Sequence, residues 1–186
     1  MRARGRLHNH VVAALVLLFC ATVPAAAQTP ALDGLFEELL DADPQAASRI
    51  EREIWNEWSK SGSPAMDLLL QRGRDAMEAG DIAAAIEHFT ALTDHAPDFA
   101  EGWNARATAY FAAGELGPSV NDIARTLTLN PRHFGALSGL GMIFEQLEQP
   151  EKALEAYRAA LAIHPHLQGV IESVERLEAD TAGQDL

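Results

Sequence analysis

The chain has one cysteine in 186 residues, few aromatics (6%), and only 14 lysines and arginines against 27 aspartates and glutamates. Each shortage removes a class of function. Cys20 lies in an N-terminal apolar run, so the rest of the chain has no disulfide, thiol nucleophile or thiolate metal ligand. Phe19 precedes Cys20 where lipid attachment needs a small residue, which argues against an acyl anchor. A formal charge of −13 works against nucleic acid and anionic lipid surfaces, since both need cationic neutralisation. It is compatible with cationic partners, and the solubility of a helical surface accounts for it equally simply.

The common catalytic signatures are missing too. There is no H-E-x-x-H, no G-x-S-x-G and no G-x-x-x-x-G-K-S/T. Gly139-Leu140-Gly141 follows no strand pattern, and packing explains its glycines. His164-Pro165-His166 comes nearest to a metal motif but has no third ligand nearby in sequence. These histidines read as solvated loop residues, and His88, His95 and His133 as helix or turn surface. The reading is a non-enzyme with no metal, no cofactor and no small-molecule substrate.

What is present begins with an address. Arg2, Arg4 and Arg6 precede an apolar stretch, 11–27, that ends in Ala25-Ala26-Ala27. This is the order of a secretory signal, with cleavage expected after Ala27. The alternative is a retained anchor, for which this stretch is at the short limit of bilayer-spanning length. Cleavage leaves a mature chain of 28–186 and, with three arginines gone, takes the formal charge from −13 to −16. Export without cysteine fits the bacterial periplasm better than a small eukaryotic secreted domain. A membrane enters only indirectly.

Pro97, Pro131 and Pro165 are evenly spaced, and the chain between them repeats in step. With units starting at Met66, Ala100 and Phe134, position 8 is Gly73, Ala107 and Gly141. Position 24 is Phe89, Ile123 and Tyr157, and position 20 is Ala85, Ser119 and Ala153. Each unit reads as two helices, over residues 66–79 and 82–95, 100–113 and 117–129, and 134–147 and 150–163. The small residues let paired helices approach, the large ones fill the space between them, and the prolines end each second helix.

This period and order resemble the tetratricopeptide repeat (TPR), a helix–turn–helix unit that builds right-handed α-solenoids. The resemblance implies an all-α fold of three repeats, at residues 66–99, 100–133 and 134–167. Residues 168–180 form a capping helix with an apolar stripe of Val170, Ile171, Val174 and Leu177. Residues 181–186 are expected to fray. Residues 28–65 read as a degenerate helical pair that caps the first repeat. Within it Trp55 and Trp58 are core filling or, alternatively, an exposed docking patch. Arg106 and Asp122 are expected to pair, the alternative for Arg106 being a ligand contact.

The resemblance also implies a concave groove lined by the first helices. Carried over by position, the partner-binding candidates are Arg74, Met77, Asn104, Ala105, Thr108, Phe111, Ser138, Met142 and Glu145. A related subfamily grips peptide carboxylates with lysine, asparagine and arginine. The matching positions here hold Leu70, Arg74, Ala105, Gly135 and Gly139, so that clamp is absent. The groove is expected to have a small-residue middle edged by Met77, Phe111 and Met142, unless those three are packing residues. The implied function is a periplasmic scaffold or adaptor binding a protein or peptide, with assembly of an envelope complex as its setting. The alternative is a chaperone-like carrier of unfolded exported polypeptides, of the cytochrome-maturation or outer-membrane-assembly type. Self-association is a further possibility.

Overall fold

The computed structural model describes the backbone of residues 30–184 and the side chains of residues 31–180. The signal segment and Cys20 lie outside the described residues. Among the described residues the secondary structure is entirely helical: α1 (Pro30–Asp41), α2 (Pro44–Trp58), α3 (Pro64–Glu78), α4 (Ile82–His95), α5 (Ala100–Ala112), α6 (Leu116–Leu129), α7 (Phe134–Gln146), α8 (Pro150–Ile163) and α9 (Gln168–Gln184). Helices α3 to α8 form three antiparallel pairs stacked in sequence, and α9 packs on α8. The last helix continues past the expected end at 180, as far as Gln184.

The repeat's large/small order has the packing cause inferred for it. A Cβ at Gly73 would fall on the ring of Phe89, and one at Gly141 on the ring of Tyr157. In the middle unit the facing residue is the smaller Ile123, and there Ala107 is accommodated with both side chains buried. The size of the small site thus follows the size of its partner. Ser119 Oγ donates to the Ala107 carbonyl at 2.8 Å, which ties the second helix pair at its crossing. The turn between paired helices needs a left-handed residue: Gly80 (φ 77°), Gly114 (φ 76°) and, in the third unit, Glu148 (φ 55°).

Arg106 and Asp122 pair as expected, through Nε–Oδ2 at 2.6 Å and Nη2–Oδ1 at 2.9 Å. This two-pronged contact raises the guanidinium's pKa further. Arg106 also stacks 4.8 Å from the Trp103 ring and donates to Thr93 on the preceding helix. The pair therefore joins neighbouring units.

The N-terminal pair departs from expectation. Its helices form as read: Asp43 caps α2 by accepting from the backbone N–H of Gln45 and Ala46 at 2.9 Å, with Pro44 in the first turn. Leu32, Phe36 and Leu39 of α1 meet Ala47, Ile50, Ile54 and Trp58 of α2. This apolar cluster continues into Phe134, Ile163 and Leu167 and includes no residue of α3 or α4. The pair does not cap the first repeat. It lies as a strap along the edge of the solenoid where successive units join. Ser59 reaches Arg74 of α3, Trp55 and Trp58 reach the His133 turn between the second and third units, and Glu51 reaches the His164 turn into α9. Against those junctions the pair buries an apolar cluster, whereas the outer face of α3 carries the exposed charges Arg72 and Asp75. The tryptophans are core filling, of a joint between distant segments.

Candidate functional site

The concave face is formed by α3, α5 and α7, and the strap walls it along one edge. At the junction of α3 and α5 it is closed by a buried polar knot. Glu101, only 3% exposed, accepts from three side chains: Arg74 Nη2 at 2.6 Å, Asn104 Nδ2 at 3.1 Å and His133 Nε2 at 3.0 Å. His133 Nδ1 accepts from the backbone N–H of Ala136 at 3.1 Å and so caps α7. That bond leaves Nε2 as the protonated nitrogen, the donor to Glu101. Arg74 Nη1 donates to Ser59 Oγ at 3.1 Å, and Ser59 Oγ donates to the Trp55 carbonyl at 2.7 Å. Trp58 stacks on the His133 ring at 4.3 Å. Both carboxylate oxygens of Glu101 and both ring nitrogens of His133 are thus bonded, as their burial requires, and the two residues border a cleft of about 360 Å³ between the end of α2 and the turn into α5.

His133 and His164 are therefore buried, not solvated as their loop positions implied. The signal was available: His133 occupies unit position 34, where the neighbouring units have Phe99 and Leu167. His164 Nδ1 accepts from the His166 backbone N–H at 3.2 Å, and its Nε2 lies 3.3 Å from Glu51 Oε2. The His164 contact, aided by donation from Trp55 Nε1, holds the Glu51 carboxyl below the usual carboxylate range despite its partial burial. Among the described residues no cluster of three or more His, Cys, Asp or Glu is placed to hold a metal ion.

At the junction of α5 and α7 the face is open. A cleft of about 200 Å³ between these helices is lined by Asn104, Ala107, Thr108, Phe111, Ser138, Gly139 and Met142. It shares Phe111, Gly135, Ser138 and Met142 with a wider groove of about 880 Å³, bounded by Trp55 and Glu51 of the strap and by Val170 and Ser173 of α9. Met142 is 49% exposed in this wall. Gly135 is needed at the bend, because a Cβ there would sit 2.7 Å from the Trp55 ring. At the far end Glu145 accepts from Tyr157 Oη at 2.7 Å and pairs with Arg176. Burial alone would raise the Glu145 pKa, but these two donors outweigh it and lower it. Burial and the Glu145 carboxylate both push the Tyr157 hydroxyl up.

Of the residues expected to bind a partner, Thr108, Phe111, Ser138, Met142 and Glu145 come together on this groove, with Asn104 at its floor. Asn104 is 9% exposed and committed to Glu101, and Ala105 is buried in the core shared by the first two units. Arg74 is consumed by Glu101, and Met77 packs on the first unit's core away from the cleft. The expected edging by Met77, Phe111 and Met142 is therefore cut to the last two. Sequence reasoning missed Glu51 and Val170 as walls and offered Trp55 only as the alternative docking residue, since all three reach the groove through tertiary packing. No helix among the described residues is long and apolar enough to cross a membrane.

Residues 70–117 and 135–167 match the tetratricopeptide repeat. The chain is 39% identical over 153 residues to a TPR repeat-containing protein of Rhizobium etli, covering 82% of this chain and 75% of that one. It is 31% identical over 117 residues to small glutamine-rich tetratricopeptide repeat-containing protein 2 of Saccharomyces cerevisiae, covering 63% of this chain but only 34% of the yeast protein. Among solved structures, the first TPR of Spaghetti (RPAP3) bound to the HSP90 peptide SRMEEVD superposes with a TM-score of 0.60 at 22% identity. The match covers 63% of this chain and 95% of that one.

Proposed function

Because the chain belongs to the tetratricopeptide repeat family, a family of protein-interaction scaffolds, we propose that it is a non-enzymatic adaptor of the periplasm. In this reading it is exported by its N-terminal signal and holds an extended, apolar peptide segment of a protein partner in the groove between α5 and α7. Its setting is the assembly of an envelope complex. The observation that carries the reading is the contrast along the concave face. At the first junction Arg74, Glu101 and His133 are committed to one another, while Phe111, Ser138 and Met142 line an open groove with no lysine or arginine among its walls.

The same contrast bears on the ligand. The RPAP3 repeat is solved with an acidic peptide. Here the one cation at a clamp position, Arg74, is already paired, as are Glu51 and Glu145, and the open groove presents thioether and phenyl groups between them. A neutral apolar segment fits such walls, and methionine adapts to several side-chain shapes.

Crosslinking in intact cells, with identification of the trapped protein, tests the proposal. Phe111→Ala and Met142→Ala are expected to cut partner affinity roughly 5- to 30-fold each with helix content unchanged. Unchanged affinity in both would move the site off this face. Suppression of aggregation of unrelated unfolded substrates would favour a carrier of exported chains over an adaptor.

A further inference from the structure

The strap's position has a consequence at the other end of the stack. The first helix of each unit has a stripe that faces the preceding unit. In the second unit it includes Gly102, Arg106 and Ala109, and in the third Ala136, Leu140 and Ile143, all covered by the helix before them or half-buried against it. The same positions in the first unit are Leu68, Arg72 and Asp75, flanked on the stripe by Ala65 and Ala79. All five are exposed, Leu68 by 51%. The α1–α2 pair, which would cover them in a continuous stack, lies along the edge of the solenoid instead.

This uncovered stripe differs from an ordinary polar cap. A terminal unit stays soluble by turning a polar face outward, whereas here an exposed Leu68 and two alanines share the stripe with its two charges. Its two charges are also unmatched. Arg106, the counterpart of Arg72, is gripped by Asp122, but the residue matching Asp122 in the first unit is His88. Among the described residues neither Arg72 nor Asp75 has an ion-pair partner. Asp75 accepts only from Gln71 Nε2, at 2.7 Å.

The charges are opposite and one helical turn apart, so the stripe is complementary to itself when run antiparallel. We propose that this face of α3 is an isologous interface with a second copy of the chain. A twofold axis between Arg72 and Asp75 places each Arg72 opposite the partner's Asp75. It also places each Leu68 opposite the partner's Ala79, large against small as in the repeats themselves. A twofold interface of this kind closes on itself and gives dimers, not filaments. It leaves both grooves free, because the stripe is at the end of the stack and the groove is on its concave side.

Sedimentation equilibrium on protein purified from the full-length chain tests this. The expected result is a reversible monomer–dimer equilibrium that Leu68→Glu abolishes. Arg72→Glu and Asp75→Arg should each weaken it by about tenfold or more, since like charges then face each other. Arg72→Glu combined with Asp75→Arg should restore it to within about threefold, because the swapped charges again pair. Circular dichroism checks that each variant keeps its helices; all three sites are exposed, so the fold does not depend on them. A monomer at every concentration would overturn the proposal. So would a dimer indifferent to Leu68→Glu, or charge reversals that the double exchange fails to rescue.

Discussion

The two junctions of the concave face use the same three unit positions and reach opposite outcomes. Between α3 and α5 these are Arg74, Glu101 and Asn104; between α5 and α7 they are Thr108, Gly135 and Ser138. The first set carries charges and an amide that satisfy one another under Trp58 and Ser59. The second set is small, and its hydroxyls turn back to their own helices: Thr108 Oγ1 donates to the Asn104 carbonyl at 3.0 Å and Ser138 Oγ to the Phe134 carbonyl at 2.8 Å. A repeat scaffold therefore does not present its groove uniformly. Whether a junction is open depends on whether its residues bond across it or back to their own helices, and glycine at position 2 makes room for the Trp55 ring at the groove's wall.

The comparison can be broken most forcefully at the strap. Trp58→Ala removes a buried ring that stacks on His133 and touches Phe134. It should cost about 3–5 kcal/mol in urea unfolding and detach the strap before the repeats melt. Glu101→Ala attacks the closed junction itself, leaving Arg74 and His133 without their acceptor. A loss of about 2–3 kcal/mol is expected by the same measurement. A variant as stable as the parent would show that the knot does not hold the junction shut. Gly135→Ala tests the open side, where the added Cβ forces Trp55 to shift. The expected cost is about 1–2 kcal/mol, together with a change in tryptophan fluorescence.

The smallest effect concerns acid. Glu51 has a depressed pKa in the folded state, so its contribution is fully present above the usual carboxylate value of 4.5 and is lost as the pH falls through the folded one. Parent protein should lose more stability than Glu51→Gln between about pH 5 and pH 3. Equal losses would mean that the His164–Glu51 contact contributes nothing to strap docking.

Much of the solenoid is legible in the sequence because its determinants are local and periodic. The pairs Gly73–Phe89 and Gly141–Tyr157 share the spacing of Arg106 and Asp122, so each unit carries its own packing code. The five groove residues that assemble follow from that register. The strap does not. Asp33 bonds Arg132 at 2.6 Å across 99 residues of chain, and Glu51 meets His164, contacts with no period to betray them. Extending the register backward puts Trp55 and Trp58 at the right positions of a unit but stacks that unit on the wrong neighbour. The closed junction escapes the sequence for a related reason. Position alone gives Arg74 and Asn104 to a ligand, while their partner, Glu101, is already within the chain.

The strap also imposes an order on folding. Its helices are synthesised before any repeat, yet Phe134, His164 and Leu167, against which it packs, follow about 75 or more residues later. The repeats can fold by local contacts as they emerge, whereas strap closure must span most of the chain and belongs to the slow, high-contact-order class of events. A chain ending before His164 would keep the strap's contacts with His133 and Phe134 but lack its Glu51–His164 and Leu167 end. Docking of the strap is thus completed at its Glu51 end only when the third unit and the turn into α9 are in place.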